Sequence, residues 1–412
     1  MTNNILLYID PGTGSMLFAI LIGIFGAVGY VLRMAWVKLR FKLSSGKKEE
    51  VTAGKTPYVI FSEGKRYWNV YNPICREFDK RGINVLYLSA SEDDPGLNSG
   101  YPHIEGRFIG ENNKAFSKLN FLNADIVIST TPGLDVYQWK RSRDVSCYVH
   151  IPHSAADMTL YRMFGIDYYD AILLNGQFQI DQVRKLEEIR NLPAKDLTLV
   201  GIPYMDDMVE RLKSSGDNPE HEKTVLVAPS WGPSAIFSKF GSRILEALLK
   251  TGYHIIVRPH PQTFISEKDM IEKIMKEYPD SDQIEWNRDA DNFEVLKRSD
   301  ILISDFSAVV LDFALVYDKP IVYTDTKFDT NVYDAWWIDD EVWTLKILPK
   351  LGEKLTEENL SDVKDIIDKC LEDPKYRSGR DEVRGECWVN YGDGAEHAVD
   401  YLVKKYEEIK SK

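Results

Sequence analysis

Two stretches decide the fold: "YHIIVRPHP" (253–261) and "SDILISDFSAVVLDFALVYDKPIVYTD" (299–325). Each holds a short, continuous apolar run that stops abruptly at polar residues. An uninterrupted Ile/Leu/Val run bounded by turn residues is the signature of a strand buried on both faces, as in a parallel sheet. In the first, Arg258 and His260 follow the strand and two prolines stiffen the turn, so both side chains are expected to face outward. In the second, the strand stops at Ser304-Asp305. A helix then starts near Ser307 or Ala308, with Ser307 as N-cap and the first amides free for an anion. Asp312, one turn on, is placed to accept from a ribose or polyol hydroxyl or to remain a solvated helix charge.

The same form recurs on both sides. Upstream, "YVIFS" (58–62), "NVLYLSA" (84–90), "ADIVIST" (124–130), "SCYVHIP" (146–152), "YDAILLN" (169–175) and "LTLVGIP" (197–203) read as strands, several of them separated by helical segments. A polar break, "KSSGDNPEHEK" (213–223), reads as a linker. "TVLVAPS" (224–230) opens the second series, and amphipathic helices close the chain. The expected architecture is α/β, with two Rossmann-like halves at 57–212 and 224–375, a ligand cleft between them, and C-terminal helices at 376–412. Ligands of open parallel sheets lie beyond the carboxyl ends of the strands.

Two histidines occupy such a position in "YVHIPHS" (148–154). His153 follows the strand and is expected to act as a general base. His150 sits inside the strand and reads as a core or supporting histidine. In "APSWGPS" (228–234), Trp231 is expected to border a ligand or wall the interface between the halves. The acidic pairs at 206–207 and in "DAD" (289–291) lack a strand-end context and read as solvated loops. No metal and no cofactor is expected. No Walker loop, GxGxxG or GxSxG is present, which removes support for ATPase, dehydrogenase and serine hydrolase chemistry.

The first fifty residues differ in composition. "MLFAILIGIFGAVGYVL" (16–32) carries no charge, and Arg33, Lys38, Arg40, Lys42, Lys47 and Lys48 follow it. Its charge comes after the apolar run, unlike a cleaved signal peptide. The run, extended to Trp36, is expected to anchor residues 1–43 in the membrane, with 44–56 as linker and everything after on the cytoplasmic side. Whether it spans the bilayer or lies in the interface stays open. "YIDPGTGS" (8–15) just before it reads as a turn and helix cap. The 412 residues hold 64 acidic against 51 basic side chains, net charge -13, which argues against nonspecific nucleic-acid binding. Four scattered cysteines without CxxC spacing argue against a disulfide framework.

Taken in order, "VLVAPSW", "RPHP" and "SDILISDFSAVVLDFALVYDKPIVYTD" resemble the CDP-glycerol glycerophosphotransferases of the teichoic-acid type over most of 140–330. The resemblance implies a GT-B fold and a membrane-associated transferase. Such an enzyme moves glycerol phosphate, or a related polyol phosphate, from a CDP-linked donor to a hydroxyl of a lipid-linked saccharide or polymer. It places Arg258 and His260 on the donor-phosphate motif and Ser304, Asp305, Ser307 and Ala308 where a helix start meets the pyrophosphate. His153 falls on the histidine of a Trp-His-Gly segment, the proposed base. This chain reads Ile151-Pro152-His153-Ser154-Ala155 there, with neither the Trp nor the Gly, which leaves the acceptor open. Two alternatives keep the same fold: a glycosyltransferase or epimerase using a UDP-sugar, and a non-catalytic, membrane-bound nucleotide-binding protein.

Overall fold

The computed structural model describes Val28 and residues 54–412 apart from 290, 327–328 and 339–340. Val28 aside, the apolar run at 16–36 and the Tyr8–Ser15 turn lie outside the described residues. Among the described residues no helix is long and apolar enough to cross a membrane. Residues 55–412 form one compact unit.

Two all-parallel sheets organise that unit. The first contains β1 (Thr56–Ser62), β2 (Val85–Ser89), β3 (Ile104–Phe108), β4 (Ala124–Ser129), β5 (Val145–His150), β6 (Ala171–Leu174) and β7 (Asp196–Leu199), in the order β3-β2-β1-β4-β5-β6-β7. The second contains β8 (Thr224–Val227), β9 (His254–Val257), β10 (Ile284–Trp286), β11 (Ile301–Ser304), β12 (Ile321–Thr324) and β13 (Gly352–Leu355), in the order β10-β9-β8-β11-β12-β13. The strand order reverses at β1/β4 and at β8/β11, and a crevice opens at such a reversal beyond the carboxyl ends. β4, β6, β8, β11 and β12 are buried at every position, as their unbroken apolar runs require.

Three strands have no counterpart in the apolar pattern: β3 ("IEGRF"), β10 ("IEW") and β13 ("GEKL"). All three are sheet edges. An edge strand is covered on fewer sides, so it tolerates charge and shortness. β13 depends on Gly352, where an added Cβ would lie 1.7 Å from the Ile321 carbonyl oxygen.

The C-terminal helices do not stay with the second half. The Lys375–Cys387 helix packs on it through Arg380, which donates to Asp318 at 2.8 Å. The chain then crosses back, and the Gly394–Lys410 helix lies on the first half. The crossing is fastened by Asp206, whose carboxylate accepts from Trp388 Nε1 (2.8 Å), Gly392 N (2.8 Å) and Gly394 N (3.0 Å). Asp206 is buried, against the expectation of a solvated acidic loop, because those three donors replace its water. Its neighbour Asp207 pairs with Arg76 at 2.7 Å. Gly201, at φ +98, lets the first half approach this crossing, since a Cβ there would meet the Val389 carbonyl oxygen at 2.4 Å.

Candidate active site

The carboxyl end of β5 carries His150 and, three residues on, His153. His150 is fully buried; its Nε2 shares a 3.0 Å hydrogen bond with the Tyr161 hydroxyl, and its ring packs on Tyr169. Burial, with a smaller push from His153, moves its pKa down to about 3. It is a neutral core histidine supporting the loop above it. His153 is solvent-accessible. Tyr67 stands edge-on to it at 5.7 Å and Tyr161 at 6.0 Å. Water reaches the ring, yet protein crowds it, and this crowding, followed by the charge of Arg66, pushes its pKa down to about 4.

On the second half, the turn after β9 separates the two predicted ligands. Arg258 does not face outward. Its guanidinium donates to Asn287 Oδ1 and, at 2.8 Å, to the Asp289 carbonyl oxygen, both just past β10. Arg258 thereby braces the neighbouring loop. Asp289 also accepts from Asn287 Nδ2 (2.8 Å), and Asp291 pairs with Arg211 (2.7 Å), so "DAD" is part of this brace. His260 is exposed, with Trp231 beside it at a centroid distance of 6.5 Å. The Gln262 amide donates to His260 Nδ1 at 3.0 Å, so the neutral ring carries its proton on Nε2 and presents a donor. Crowding and then the Arg66 charge lower its pKa as well.

The β11 end departs from expectation in a way its hydrogen bonds explain. Ser304 is fully buried and its Oγ donates to the Ala228 carbonyl at 2.7 Å. Asp305, 1% exposed, accepts from Ser230 N (2.9 Å) and Ile236 N (3.1 Å), and the Ser307 amide also favours its charged form. Burial nevertheless raises its pKa overall. These amides are turned onto an internal carboxylate, so Ser304 and Asp305 hold the β8 loop that carries Trp231. The following helix is brief. Val309–Leu311 is α-helical, Ala308 takes the cap position, and Asp312–Val316 forms a π-turn. Ser307 and Ala308 are half-buried. Asp312 accepts from the Tyr204 hydroxyl of the first half at 3.0 Å, and burial raises its pKa to about 6. It joins the two halves.

Other contacts across the halves were invisible in the sequence. Asp157 accepts from the backbone amides of Trp343 (2.9 Å) and Thr344 (2.7 Å). Asp334 accepts from Arg190 and, at 3.1 Å, from Phe164 N, while its own amide donates to the Tyr161 carbonyl at 2.9 Å. These ties place the loop bearing His153 and Tyr161 against the second half. His153 and His260 thus come from opposite halves, and Arg66, just past β1, acts electrostatically on both. Arg66 is not among the site residues expected from the sequence. The available signal was "SEGKRY" (62–67), a glycine and two cations immediately after a buried strand. Beside it, the ends of β1, β2 and β3 border an open pocket of about 230 Å³ lined by Glu63, Ser91, Glu111, Asn112 and Phe116.

The family model described as CDP-Glycerol:Poly(glycerophosphate) glycerophosphotransferase matches residues 175–398, more than half of the chain. The chain belongs to this family. Among curated relatives, a teichoic acid glycerol-phosphate primase of Bacillus spizizenii is 28% identical over 193 residues, covering 44% of this chain and 46% of that protein. The match thus spans about half the length of the primase. Among solved structures, the wall teichoic acid polymerase TagF soaked with CDPG aligns with a TM-score of 0.55 at 15% identity, over 92% of this chain and 96% of that one. A Staphylococcus aureus MnaA–UDP structure aligns at 0.59 with 12% identity, over 87% and 98%. A Methanocaldococcus jannaschii UDP-GlcNAc 2-epimerase aligns at 0.56 with 12% identity, over 85% and 99%. At such identities the likeness is one of fold, and the fold of this glycerophosphotransferase family member is GT-B-like.

Proposed function

We propose that the protein is a glycerophosphotransferase. In this reading it transfers glycerol phosphate, or a related polyol phosphate, from a CDP-linked donor to a hydroxyl of a lipid-linked saccharide or cell-envelope polymer. The observation that carries the proposal, beside family membership, is the pair of histidines from opposite halves, both within electrostatic reach of Arg66. The donor lies along the carboxyl ends of β8, β9 and β11, its pyrophosphate meeting Nε2–H of His260 and its nucleotide bordered by Trp231. The acceptor hydroxyl enters from the first half. Its oxygen attacks the β-phosphorus as its proton passes to His153. The bond from the β-phosphorus to the bridging oxygen breaks, and CMP leaves with the electron pair. Positioning and charge stabilisation supply most of the rate enhancement in phosphoryl transfer. A pKa of about 4 keeps His153 neutral at pH 7, and the bound donor's negative charge raises its basicity in the complex.

The apolar run at 16–32 and the basic residues after it support a membrane anchor that holds the catalytic halves on the cytoplasmic face, near a lipid-linked acceptor. The test is a thermal-shift comparison of CDP-glycerol, CDP-ribitol, CMP and UDP-sugars, followed by a transfer assay. CDP-linked ligands should stabilise the protein. His260→Ala should lose that response, whereas His153→Ala should keep it and lose turnover by at least 100-fold, the scale of a positioned base. Stabilisation by UDP-sugars alone would sink the proposal in favour of a sugar-nucleotide enzyme. Ligand binding without turnover in the wild type would leave a non-catalytic binder.

A further inference from the structure

The second half offers His260 to a pyrophosphate, while Arg258, the arginine of its motif, already donates to Asn287 and Asp289. A phosphoryl group gaining charge in the transition state needs a cation as well as a neutral donor. Arg66 meets that need from the opposite half. β1 ends at Ser62; Gly64, at φ +154 and with Ser91 Cβ 3.1 Å from where a Cβ would lie, turns the chain into the short Lys65–Tyr67 helix. Lys65 is drawn away to Asp93 at 2.5 Å. The Arg66 guanidinium lies 4.7 Å over the Tyr67 ring, and that ring also packs edge-on against His153. Glu63 is 3.9 Å away, and the arginine side chain remains 73% exposed. Stacking on an aromatic face fixes a guanidinium while leaving its in-plane N–H groups available to a phosphate.

Resting on the glycerophosphotransferase reading, we infer that Arg66 is a catalytic residue that contacts the β-phosphoryl oxygens during transfer, clamping the group between Arg66 of the first half and His260 of the second. The location explains its electrostatic reach to both histidines. It also gives His153 a cationic neighbour that adds to the effect of crowding in holding its pKa down until the anionic donor arrives.

The experiment uses the full-length protein and its Arg66→Gln and Arg66→Lys variants. Affinities for CDP-glycerol and for CMP, which lacks the β-phosphoryl group, are measured beside kcat and its pH profile. Arg66→Gln should lose on the order of 100-fold in kcat, as for removal of one transition-state donor. Its CDP-glycerol affinity should fall while CMP affinity holds. Arg66→Lys should recover part of both. The acid limb of the pH profile should move to higher pH in Arg66→Gln, because removing a cation raises the pKa of His153. Wild-type turnover with Arg66→Gln unchanged would overturn the inference and leave the functional reading intact. An equal loss of CMP affinity would overturn it too, placing Arg66 at the nucleotide. A wild type that neither binds nor transfers from CDP-linked donors would remove the reading and the inference together.

Discussion

Replacing Asp305 separates two roles that a strand-end carboxylate can have. In the structure it touches no open surface and binds the amides of Ser230 and Ile236 at 2.9 and 3.1 Å. In Asp305→Ala both amides lose their acceptor inside protein. An unsatisfied buried donor costs about 1–3 kcal/mol, so the pair sets a loss of about 2–6 kcal/mol. One effect works against this. Burial raises the carboxyl pKa, so the ionised form carries a desolvation cost that alanine removes. The net expectation is about 3 kcal/mol, within the lower half of that range. Asp305→Asn should cost less, because its amide oxygen still accepts one of the two bonds. Urea unfolding of wild type and both variants measures the loss. Donor affinity is then measured well below the unfolding transition. A stability loss graded Ala above Asn, with donor affinity falling only as the Trp231 loop loosens, fits a residue that holds the loop. Unchanged unfolding with a large affinity loss would refute the reasoning and make Asp305 a direct ligand contact.

Two further outcomes follow from buried groups. His150 is neutral in the fold with a pKa of about 3, whereas an unfolded chain takes up a proton near 6.5. The unfolded state therefore binds more protons as pH drops below about 6.5, and this group's contribution to stability is lost in that direction. At about 1.4 kcal/mol per pH unit, the loss reaches about 2 kcal/mol by pH 5, so His150→Gln should flatten the pH dependence of unfolding by that amount; an unaltered slope would contradict the assignment. Asp206→Ala should cost about 3 kcal/mol by stranding three donors at the chain crossing. Hydrogen exchange should then speed up in 394–410 before the central strands, and uniform exchange across both halves would argue against this fastening.

Periodicity and apolar runs alone identified ten of the thirteen strands among the described residues and the strand-end positions of His153 and His260. These are properties of single segments: a strand buried on both faces must be apolar along its length, and the polar residue that ends it marks the carboxyl edge. The edge strands β3, β10 and β13 carry no such signal, since half-exposed backbone accepts charged side chains. What the polar residues do once there depends on partners distant in sequence. Arg258, Ser304 and Asp305 look alike as strand-end ligands. They became a brace, a strand clamp and a loop anchor because Asn287, Ala228 and Ser230 arrive beside them only in the folded chain. Arg66 shows the converse: the glycine and two cations of "SEGKRY" mark a strand end but not a ligand, and its role follows from β1 and β5 being brought within one sheet. Burial and pairing are collective outcomes of packing, so tertiary structure, not residue type, decided which of these charges remain for a ligand.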